Sequence, residues 1–510
     1  MRIGPFVCCL GAFAGVLIRF SAQSQPLRTP SQYTVEVGTF VASSTQTPFW
    51  LRANQYGIVP YQSPLMTYRA GIFSDFDSTR RGTGRGSASK FDLGYGLNVV
   101  VNQGPNRLPY EKPVLLPEAY VKVRLGIFEA YGGRRREKFG LADSTLSTGS
   151  YAWSGNALPV PKIQLAIPVF TPIGFTKGWV AVQGNYAHGW LDARGFVRNT
   201  LLHQKSLYVR LGRPADVVRV IGGFNHQVVW GGQATDTRGI PGVIVPGGKL
   251  PSTLIDYVYV VTGINSGRTD TTKYTFFDRT NRVGNHLGSI DLGIEIDLVR
   301  HTLFAYRQSL FEDGSLASLI NIADGLNGLR IRRNNPHALI RDILFEFLNT
   351  TSQGGPIFVL EEARLRGKDN YFNHQQYRDG WAYRQHTIGT PFIAPALGPD
   401  NAYPYGTFTA NNRITVGHLG LSGSFPIRGT LLTGPPTYVA KLSYGRNLGT
   451  YDQPFQPARN QFSGYFSLGV PLNVLGGMLL TGSAAVDAGQ LYRNGMGAFV
   501  SIRKTWQSVP

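Results

Sequence analysis

Strict alternation of apolar and polar side chains over long segments is the feature that most constrains how this chain can fold. Between Ser289 and Leu298, isoleucine or leucine occupies every second position, and serine, aspartate, glycine and glutamate fill the positions between. Residues Phe91 to Asn102 repeat the pattern with a second face rich in glycine and asparagine. Successive side chains of a β-strand point to opposite faces of the sheet. The period therefore predicts strands with one apolar and one polar face.

The pattern recurs along the whole chain. We predict strands that begin near residues 33, 68, 91, 118, 162, 178, 204, 216, 255, 289, 302, 339, 357, 413, 437, 461, 478 and 491. Their lengths suit the roughly 9–11 residues that a tilted strand needs to cross a bilayer. The predicted fold class is all-β: a transmembrane antiparallel β-barrel of about 18 strands, with about 16 to 20 as the range and long extracellular loops.

One uncharged stretch, Asn460 to Val486, is long enough to suggest a membrane-spanning helix. Five glycines and Pro471 make this stretch a poor helix. We predict a hairpin with its turn at 471–477. Only strands closed into a barrel would then satisfy the backbone hydrogen-bonding groups in lipid.

The connections between predicted strands support a barrel in the second half of the chain only. From the tenth predicted strand onward, shorter and longer connections mostly alternate, which places the loop 366–412 on the extracellular side. In the first half, 132–161 and 228–254 are long connections that fall on the opposite side. This conflict predicts an error in the strand assignment of the first half.

The N-terminus has the pattern of a secretory signal. Arg2 precedes an uncharged apolar run, and Ala22 and Ser24 provide small residues at positions −3 and −1 of a cleavage site after Ser24. We predict residues 1–24 as a signal peptide and residues 25–510 as an outer-membrane β-barrel. Cys8 and Cys9 are the only cysteines. Their position predicts a mature chain without disulfides or thiol chemistry.

The formal net charge of +20 is spread along the chain, with short clusters at 134–136 and 330–333. Nucleic-acid binding would require basic residues grouped on one face, so we expect no nucleic-acid partner. For an exported barrel, we expect three partners: acidic surface polysaccharide, outer-membrane lipid including lipopolysaccharide, and the outer-membrane assembly machinery. Solvated charge at the barrel rim is the alternative explanation of the basic residues.

Motifs of enzymes and cofactor-binding proteins are absent from the sequence. It contains no Walker-type glycine-rich loop with lysine, no Gly-x-Ser-x-Gly and no His-Glu-x-x-His. The nine histidines lack the spacing of metal ligands. We therefore predict a protein that is not an enzyme and has no cofactor and no metal site. The predicted strands begin near residue 33, which leaves no room before the barrel for the plug domain of a gated transporter.

Several ordered blocks of the sequence resemble the Wzi family of capsule-assembly proteins. The resemblance extends over roughly residues 33 to 505, and its blocks are 140–150, 153–163, 175–179, 203–208, 230–233, 341–346, 367–374, 380–383 and 389–392. It implies an eighteen-stranded outer-membrane barrel that binds capsular or other exported polysaccharide at the cell surface without catalysis. Some family members carry an N-terminal helical bundle. We expect none here, because the first predicted strand begins near residue 33.

Candidate binding residues combine aromatic faces for sugar rings with planar polar or cationic groups for hydroxyls and carboxylates. The loop 366–412 contains most of them, and two other loops contain the rest. The predicted polysaccharide-binding residues are Trp381, Tyr383, Arg378, Arg384, Tyr371, Asp369, Trp153, Asn156 and Trp230. We expect Trp381 and Tyr383 to stack on sugar rings. The alternative is a loop that packs against itself over the barrel mouth.

Two other functions remain open from sequence. An eighteen-stranded barrel is wide enough for a lumen, so the chain could be an outer-membrane porin or substrate channel. An outer-membrane hydrolase with a Ser–His pair is a third class, without supporting spacing. We expect aromatic and arginine-rich loops to occlude the lumen and prevent conduction of porin size.

Overall fold

The structure is a computed structural model. It describes residues 30–508 except 77–90, 106–107, 109–110, 192–194, 236–243, 245–246, 265–269, 271, 281, 313–314, 360–366 and 397–406. The predicted signal peptide, residues 1–24, lies outside the described residues.

Eighteen antiparallel strands form one closed barrel, so the predicted fold class is confirmed. In chain order the strands are β1 (Gln32–Ala42), β2 (Leu65–Ser74), β3 (Phe91–Gln103), β4 (Val114–Leu125), β5 (Phe128–Arg134), β6 (Lys162–Pro172), β7 (Val180–Trp190), β8 (Leu201–Leu211), β9 (Val218–Trp230), β10 (Asn285–Asp297), β11 (His301–Glu312), β12 (Gly325–Arg333), β13 (Asp342–Asn349), β14 (Ile414–Ser424), β15 (Thr437–Gly449), β16 (Pro454–Leu472), β17 (Met478–Gly489) and β18 (Gly495–Gln507).

Every strand pairs with its neighbours in sequence, and the first strand closes the barrel against the last. In that closing pair Gln32 lies opposite Gln507, and Ala42 lies opposite Gly497. A closed barrel has no unpaired edge, so every strand exchanges backbone hydrogen bonds on both sides. This arrangement meets the requirement that lipid imposes on the backbone.

The two faces of the wall have the polarity of a membrane barrel. On β10, Ile290 and Leu292 are exposed on the outer face, while Ser289 and Asp291 are fully buried on the inner face. In a soluble sheet the apolar face would be the buried one. The outer apolar residues form a lipid-facing belt, and the inner polar residues line the lumen.

Connection lengths orient the barrel. The long connections 43–64, 135–161, 231–284 and 350–413 all lie at one end. The other end has mostly short turns, such as 126–127 and 298–300. Short turns are periplasmic and long loops extracellular in outer-membrane barrels. The long connections 135–161 and 231–284 therefore lie on the same side as 350–413, and the conflict in the sequence-based topology disappears.

The predicted number of strands is correct, but four positions needed correction. No strand begins near 255, where a helix forms; near 357 the described residues 357–359 are not part of a barrel strand, and the rest of the predicted strand lies outside the described residues. Strands β5 and β12 were missed. A short apolar run can be a strand or a buried helix, and periodicity alone does not separate them. The predicted hairpin at 471–477 is confirmed, because β16 and β17 are joined by residues 473–477.

Short helices lie only in connections among the described residues. They are α1 (Phe49–Arg52), α2 (Leu254–Thr262) and α3 (Phe276–Thr280), with 3₁₀ turns at Gly174–Thr176 and Ser315–Ser318. Across the described part of the chain, no helix has the length and hydropathy needed to cross a membrane.

Candidate functional site

The connection from β5 to β6 folds into the lumen instead of away from the barrel. We call residues 139–158 the inner segment. It lies against polar residues of the inner wall: the amide of Leu141 donates to Asp291 over 2.8 Å, and Arg330 pairs with Asp143 at 2.9 Å. Most of its side chains from Leu146 onward are buried. The inner segment therefore fills the lumen with hydrogen-bonded protein.

Glu346 on β13 provides the central attachment of the inner segment. Its carboxylate accepts hydrogen bonds from the Ser147 hydroxyl at 2.6 Å and from the amide and hydroxyl of Thr148 at 2.6 and 2.8 Å. Tyr306 on β11 also donates to it. A buried carboxylate is stable when several donors satisfy its oxygens. This residue therefore holds the inner segment across the lumen.

A second long connection covers the inner segment from the extracellular side. We call residues 367–396 the cover loop. Its Trp381 donates from Nε1 to the carbonyl of Ala152 at 2.7 Å. Ser154 donates to the Gly389 carbonyl at 2.6 Å, and Asn156 donates to the Thr387 carbonyl at 3.0 Å. The two loops are therefore hydrogen-bonded to each other inside the extracellular half of the barrel.

The structure brings most of the predicted binding residues together, but within the packing between these loops. The indole of Trp381 is 0% exposed, and its edge meets Trp153 with ring centroids 6.1 Å apart. Tyr371 is equally buried, and its hydroxyl donates to Asp324 at 2.9 Å. The predicted stacking of Trp381 on a sugar ring would require the cover loop to open, and it stays a prediction.

The remaining predicted residues differ in position. Tyr383 is buried and accepts a hydrogen bond from Arg134 at 2.7 Å, and Asn156 is buried against the cover loop. Asp369 accepts from Asn321 at 3.3 Å. The guanidinium of Arg378 lies 4.5 Å from the ring centroid of Phe196.

Two predicted residues lie apart from this packing. Trp230 lies on the outer face of the wall, in a cluster with Val260 and Tyr274, and does not join the others. Arg384 lines an open cavity at the extracellular end.

That cavity, the cationic cavity, has a volume of about 370 Å³. It opens between the β1–β2, β3–β4 and β7–β8 connections and the cover loop. Its polar lining is Glu111, Lys112, Asn102, Thr200, Asp379, Arg384, Gln385 and His386. A cavity of this size with a few convergent polar groups is typical of ligand sites.

The two carboxylates of the cationic cavity are engaged by backbone amides. Glu111 accepts from the amides of Tyr61 and Leu108 at 2.7 and 3.1 Å. Asp379 accepts from the amides of Phe196 and Val197 at 3.0 and 2.9 Å. These hydrogen bonds stabilise the ionised carboxylates of Glu111 and Asp379 in the lining of the cavity. Lys112 and Arg384 line the same cavity, so it presents carboxylates and cationic side chains together, and the cationic side chains are the groups that suit an anionic ligand.

A second cavity of about 390 Å³, the aromatic cavity, lies beside the first at the same end of the barrel. It is lined by the aromatic residues Tyr61, Phe392, Phe455 and Tyr492 together with Arg52 and several small or amide side chains. Aromatic faces of this kind pack against the apolar side of sugar rings. The aromatic cavity thus supplies flat apolar surfaces beside the cationic cavity.

A pair of tilted rings lies between the two cavities. The rings of Tyr61 and His386 lie 4.9 Å apart between centroids, and the Arg52 guanidinium lies 4.7 Å from the centroid of the Tyr61 ring. Burial lowers the pKa of His386 to about 4, and the nearby charge of Arg52 also lowers it. Burial raises the pKa of Tyr61 to about 12. Both rings are therefore neutral at physiological pH, and the partition adds no charge to the cavities.

Sequence reasoning missed most residues that line these cavities. Arg52 and Tyr61 belong to the β1–β2 connection, and Phe455 and Tyr492 belong to strands or turns far away in sequence. Each is an isolated aromatic or basic residue without a local motif. Only Arg384 was among the predicted residues. Among the described residues no group of three or more His, Cys, Asp and Glu side chains could hold a metal ion.

The fold and the site define an outer-membrane β-barrel whose lumen holds two of its own loops and whose extracellular end carries two adjacent cavities. A family model described as capsule assembly protein Wzi matches residues 95–394, more than half of the chain. The chain belongs to this family, and the resemblance found in the sequence is confirmed.

Solved structures with a similar fold include Wzi of Escherichia coli, described as an outer membrane protein involved in group 1 capsule assembly and a carbohydrate-binding β-barrel. The similarity has a TM-score of 0.55 at 14% identity and covers 92% of this chain and 84% of that one. OpdK of Pseudomonas aeruginosa with vanillate has a TM-score of 0.45 at 8% identity, covering 94% and 99% of the two chains. A BenF-like porin of Pseudomonas fluorescens has a TM-score of 0.46 at 8% identity, with coverages of 94% and 99%. No curated protein sequence matches this chain.

Proposed function

We propose that this protein binds capsular or another exported acidic polysaccharide at the cell surface and holds it there without catalysis. The observation that carries the proposal is the pair of adjacent extracellular cavities, one that contains the cationic side chains of Lys112 and Arg384 and one lined by aromatic rings. A polymer with carboxylate groups would place these groups near Lys112 and Arg384. Its sugar rings would lie against the aromatic cavity. Membership of the Wzi family and the carbohydrate binding described for the E. coli protein support this assignment.

The closed lumen favours holding over transport. The inner segment and the cover loop occupy the path that a porin would leave open, so a polymer meets the two cavities and not a channel. The extracellular position of both cavities places the bound polymer on the outside of the cell. The predicted signal peptide, residues 1–24, would deliver the chain to the envelope.

The direct test is binding of a polyuronate to the purified barrel in detergent. The double variant Lys112→Ala, Arg384→Ala should bind more weakly than the parent. Exposed charges contribute roughly 0–1 kcal/mol each, so a loss of up to about thirtyfold is expected for the pair. Raised salt should weaken binding of the parent only in part. Lys177→Ala, in an exposed turn at the periplasmic end, is the matched control.

The outcome that contradicts the proposal is equal binding by the parent and the double variant when both are folded. In cells, deletion of the gene should reduce surface polysaccharide and increase the polymer released into the medium. Unchanged staining and unchanged release would refute the role in surface attachment.

A further inference from the structure

The outer face of the wall has a polar region in one sector near its extracellular end. His188, His203, Lys205, His226 and His286 lie there on the adjacent strands β7 to β10. His188 is paired across strands with His203, and His226 with Lys205. Along each strand these residues alternate with inward-facing residues. They lie on the same face of the wall as the exposed Leu207 and Ile290, so they point outward. Polar side chains directed at hydrocarbon are costly when they lack partners.

Helix α2, in the β9–β10 connection, lies over this polar region on the outside of the barrel. The hydroxyl of Tyr257 lies 2.9 Å from that of Tyr186 and 3.4 Å from Nδ1 of His203. Lys205 donates to the carbonyl of Val261 at the end of the helix. His226 and His286 lie in hydrogen-bond contact with each other, ring nitrogens 2.9 Å apart. His203, Lys205, His226 and His286 therefore each have at least one hydrogen-bond partner on the outside of the wall, and the His188 ring packs against that of Tyr257.

Apolar packing joins the helix to the wall. Val228 and Trp230, which point outward from β9, form a buried cluster with Val260 of the helix and with Tyr274 and Val283. The helix begins at a capping box formed by Thr253 and Asp256 and ends at Gly263, whose φ of 67° is left-handed. Tyr274 donates to Asp256 at 2.6 Å and holds the start of the helix. The helix is therefore a fixed part of the outer wall.

The other face of α2 is apolar and uncovered. Leu254, Ile255 and Val258 are 87%, 51% and 52% exposed, although the inner face of the same helix is buried. The exposed Leu207, Phe224 and Ile290 of the lipid-facing belt lie on the same strands and the same side of the wall, closer to the periplasm. Apolar surface of this kind favours transfer out of water. The outer face of α2 therefore continues the belt across the sector where the strands themselves are polar.

We propose that α2 lies in the outer leaflet of the membrane, with Leu254, Ile255 and Val258 among the acyl chains of the lipid. The helix covers the polar side chains of β7 to β10 near the extracellular end and presents an apolar face in their place. The occupant of this face is lipid, because the face is continuous with the belt that the barrel already presents to lipid. The β9–β10 connection is also tied to the cover loop, since Gln376 donates to Asp278 at 2.9 Å.

Spin labels on single cysteines test the position of the helix. In a background with Cys8→Ala and Cys9→Ala, a nitroxide at Val258→Cys is compared in proteoliposomes with two controls. Ile290→Cys reports the lipid-facing wall, and Thr272→Cys reports an exposed residue of the same connection. We expect the label at 258 to match the label at 290, with high access to oxygen and low access to a water-soluble nickel chelate.

Two results would overturn the proposal. Access like that of the label at 272 would place the helix in water. Low access to both reagents, with an immobilised spectrum, would show that protein covers this face. Leu254→Cys, on the same face, provides a second measurement if Val258→Cys fails to fold into a heat-modifiable barrel.

Discussion

The indole nitrogen of Trp381 donates a hydrogen bond of 2.7 Å to the backbone carbonyl of Ala152, which lies in a different connection between strands. The same indole is in edge contact with Trp153. These contacts join the cover loop to the inner segment, and Glu346 joins the inner segment to the wall. The cover loop, the inner segment and the barrel wall are therefore connected by hydrogen bonds, and each connection can be tested separately.

Trp381→Ala should loosen this closure and leave the barrel intact. Truncation of a fully buried tryptophan costs roughly 3–5 kcal/mol, and the lost hydrogen bond leaves the Ala152 carbonyl without that donor. We expect faster protease cleavage of the cover loop, with unchanged heat modifiability of the barrel on gels. Because the cationic cavity shares the cover loop, polysaccharide binding should fall as well.

Arg384→Ala is the matched comparison for Trp381→Ala. Its side chain lines the cavity, so protease resistance should stay at the parental level while binding falls by up to about fivefold. We expect Trp381→Ala to weaken binding more than Arg384→Ala. If well-folded Trp381→Ala resists protease like the parent and binds like the parent, the connection between closure and binding is refuted.

Glu346→Ala should open the lumen at least transiently. Ser147 and Thr148 would lose their shared acceptor, and a buried donor left without a partner costs about 1–3 kcal/mol. In planar bilayers the parent should show no large, steady conductance, and the variant should show brief openings. Glu295→Ala, which removes a partner of Arg219 elsewhere in the wall, is the control. Large ohmic steps in the parent would instead support the porin alternative.

Phe455→Ala and Tyr492→Ala test the aromatic cavity. Each removes a ring from its lining, and loss of one apolar contact face should cost on the order of 1 kcal/mol, about a fivefold change in affinity. Because the contact is apolar, the effect should persist at high salt, unlike that of Lys112→Ala. Tyr444→Ala, on the exposed outer face, is the control. If both variants bind the polysaccharide with parental affinity, the aromatic cavity is not part of the binding site.

Acidification should weaken the cover loop. Burial lowers the pKa of His374 to about 3 and that of His386 to about 4, whereas a histidine in an unfolded chain titrates near 6.5. Between pH 6.5 and about 4 the unfolded loop therefore binds protons that the folded loop does not. The free energy that the neutral histidines contribute to the folded cover loop is fully present above about pH 6.5. Below that pH it decreases by at most about 1.4 kcal/mol per pH unit for each histidine.

Cleavage of the cover loop by thermolysin measures this effect. The cleavage rates are compared at pH 7.5 and pH 5.5, about one unit above and below the pKa of an unfolded histidine, and each rate is normalised to that of an unfolded substrate. The double variant His374→Gln, His386→Gln should reduce the difference between the two conditions. A parent that is cleaved equally at both pH values would contradict the prediction.

The mature protein should begin at Gln25. Small residues at Ala22 and Ser24 fit a leader-peptidase site after Ser24. N-terminal sequencing of protein extracted from the outer membrane checks the position, and replacing both small residues (Ala22→Leu, Ser24→Leu) should leave a longer precursor. An intact N-terminus in the outer-membrane fraction would contradict the prediction.

The sequence by itself determined the fold class, because period-two alternation is a local property of the strand. The pattern in β10, with isoleucine and leucine on one face and acidic or small residues on the other, required a wall between lipid and a polar interior. It could not assign the apolar run at Leu254–Thr262, since the same composition suits a strand or a packed helix. Nor did it reveal β12, whose nine residues include three arginines that weaken the apolar signal.

The binding surface was decided by the tertiary structure alone. Trp381 and Tyr383 have the chemistry of sugar-stacking residues, but their rings are buried because the cover loop packs on a segment more than two hundred residues earlier. The cavity residues come from three connections and one strand end that are distant in sequence and adjacent only because the barrel closes β18 against β1; they are Arg52, Tyr61, Lys112, Phe455 and Tyr492. Alternation fixes which face of a strand a side chain occupies, whereas the meeting of loops depends on closure of the barrel and on how the lumen is filled.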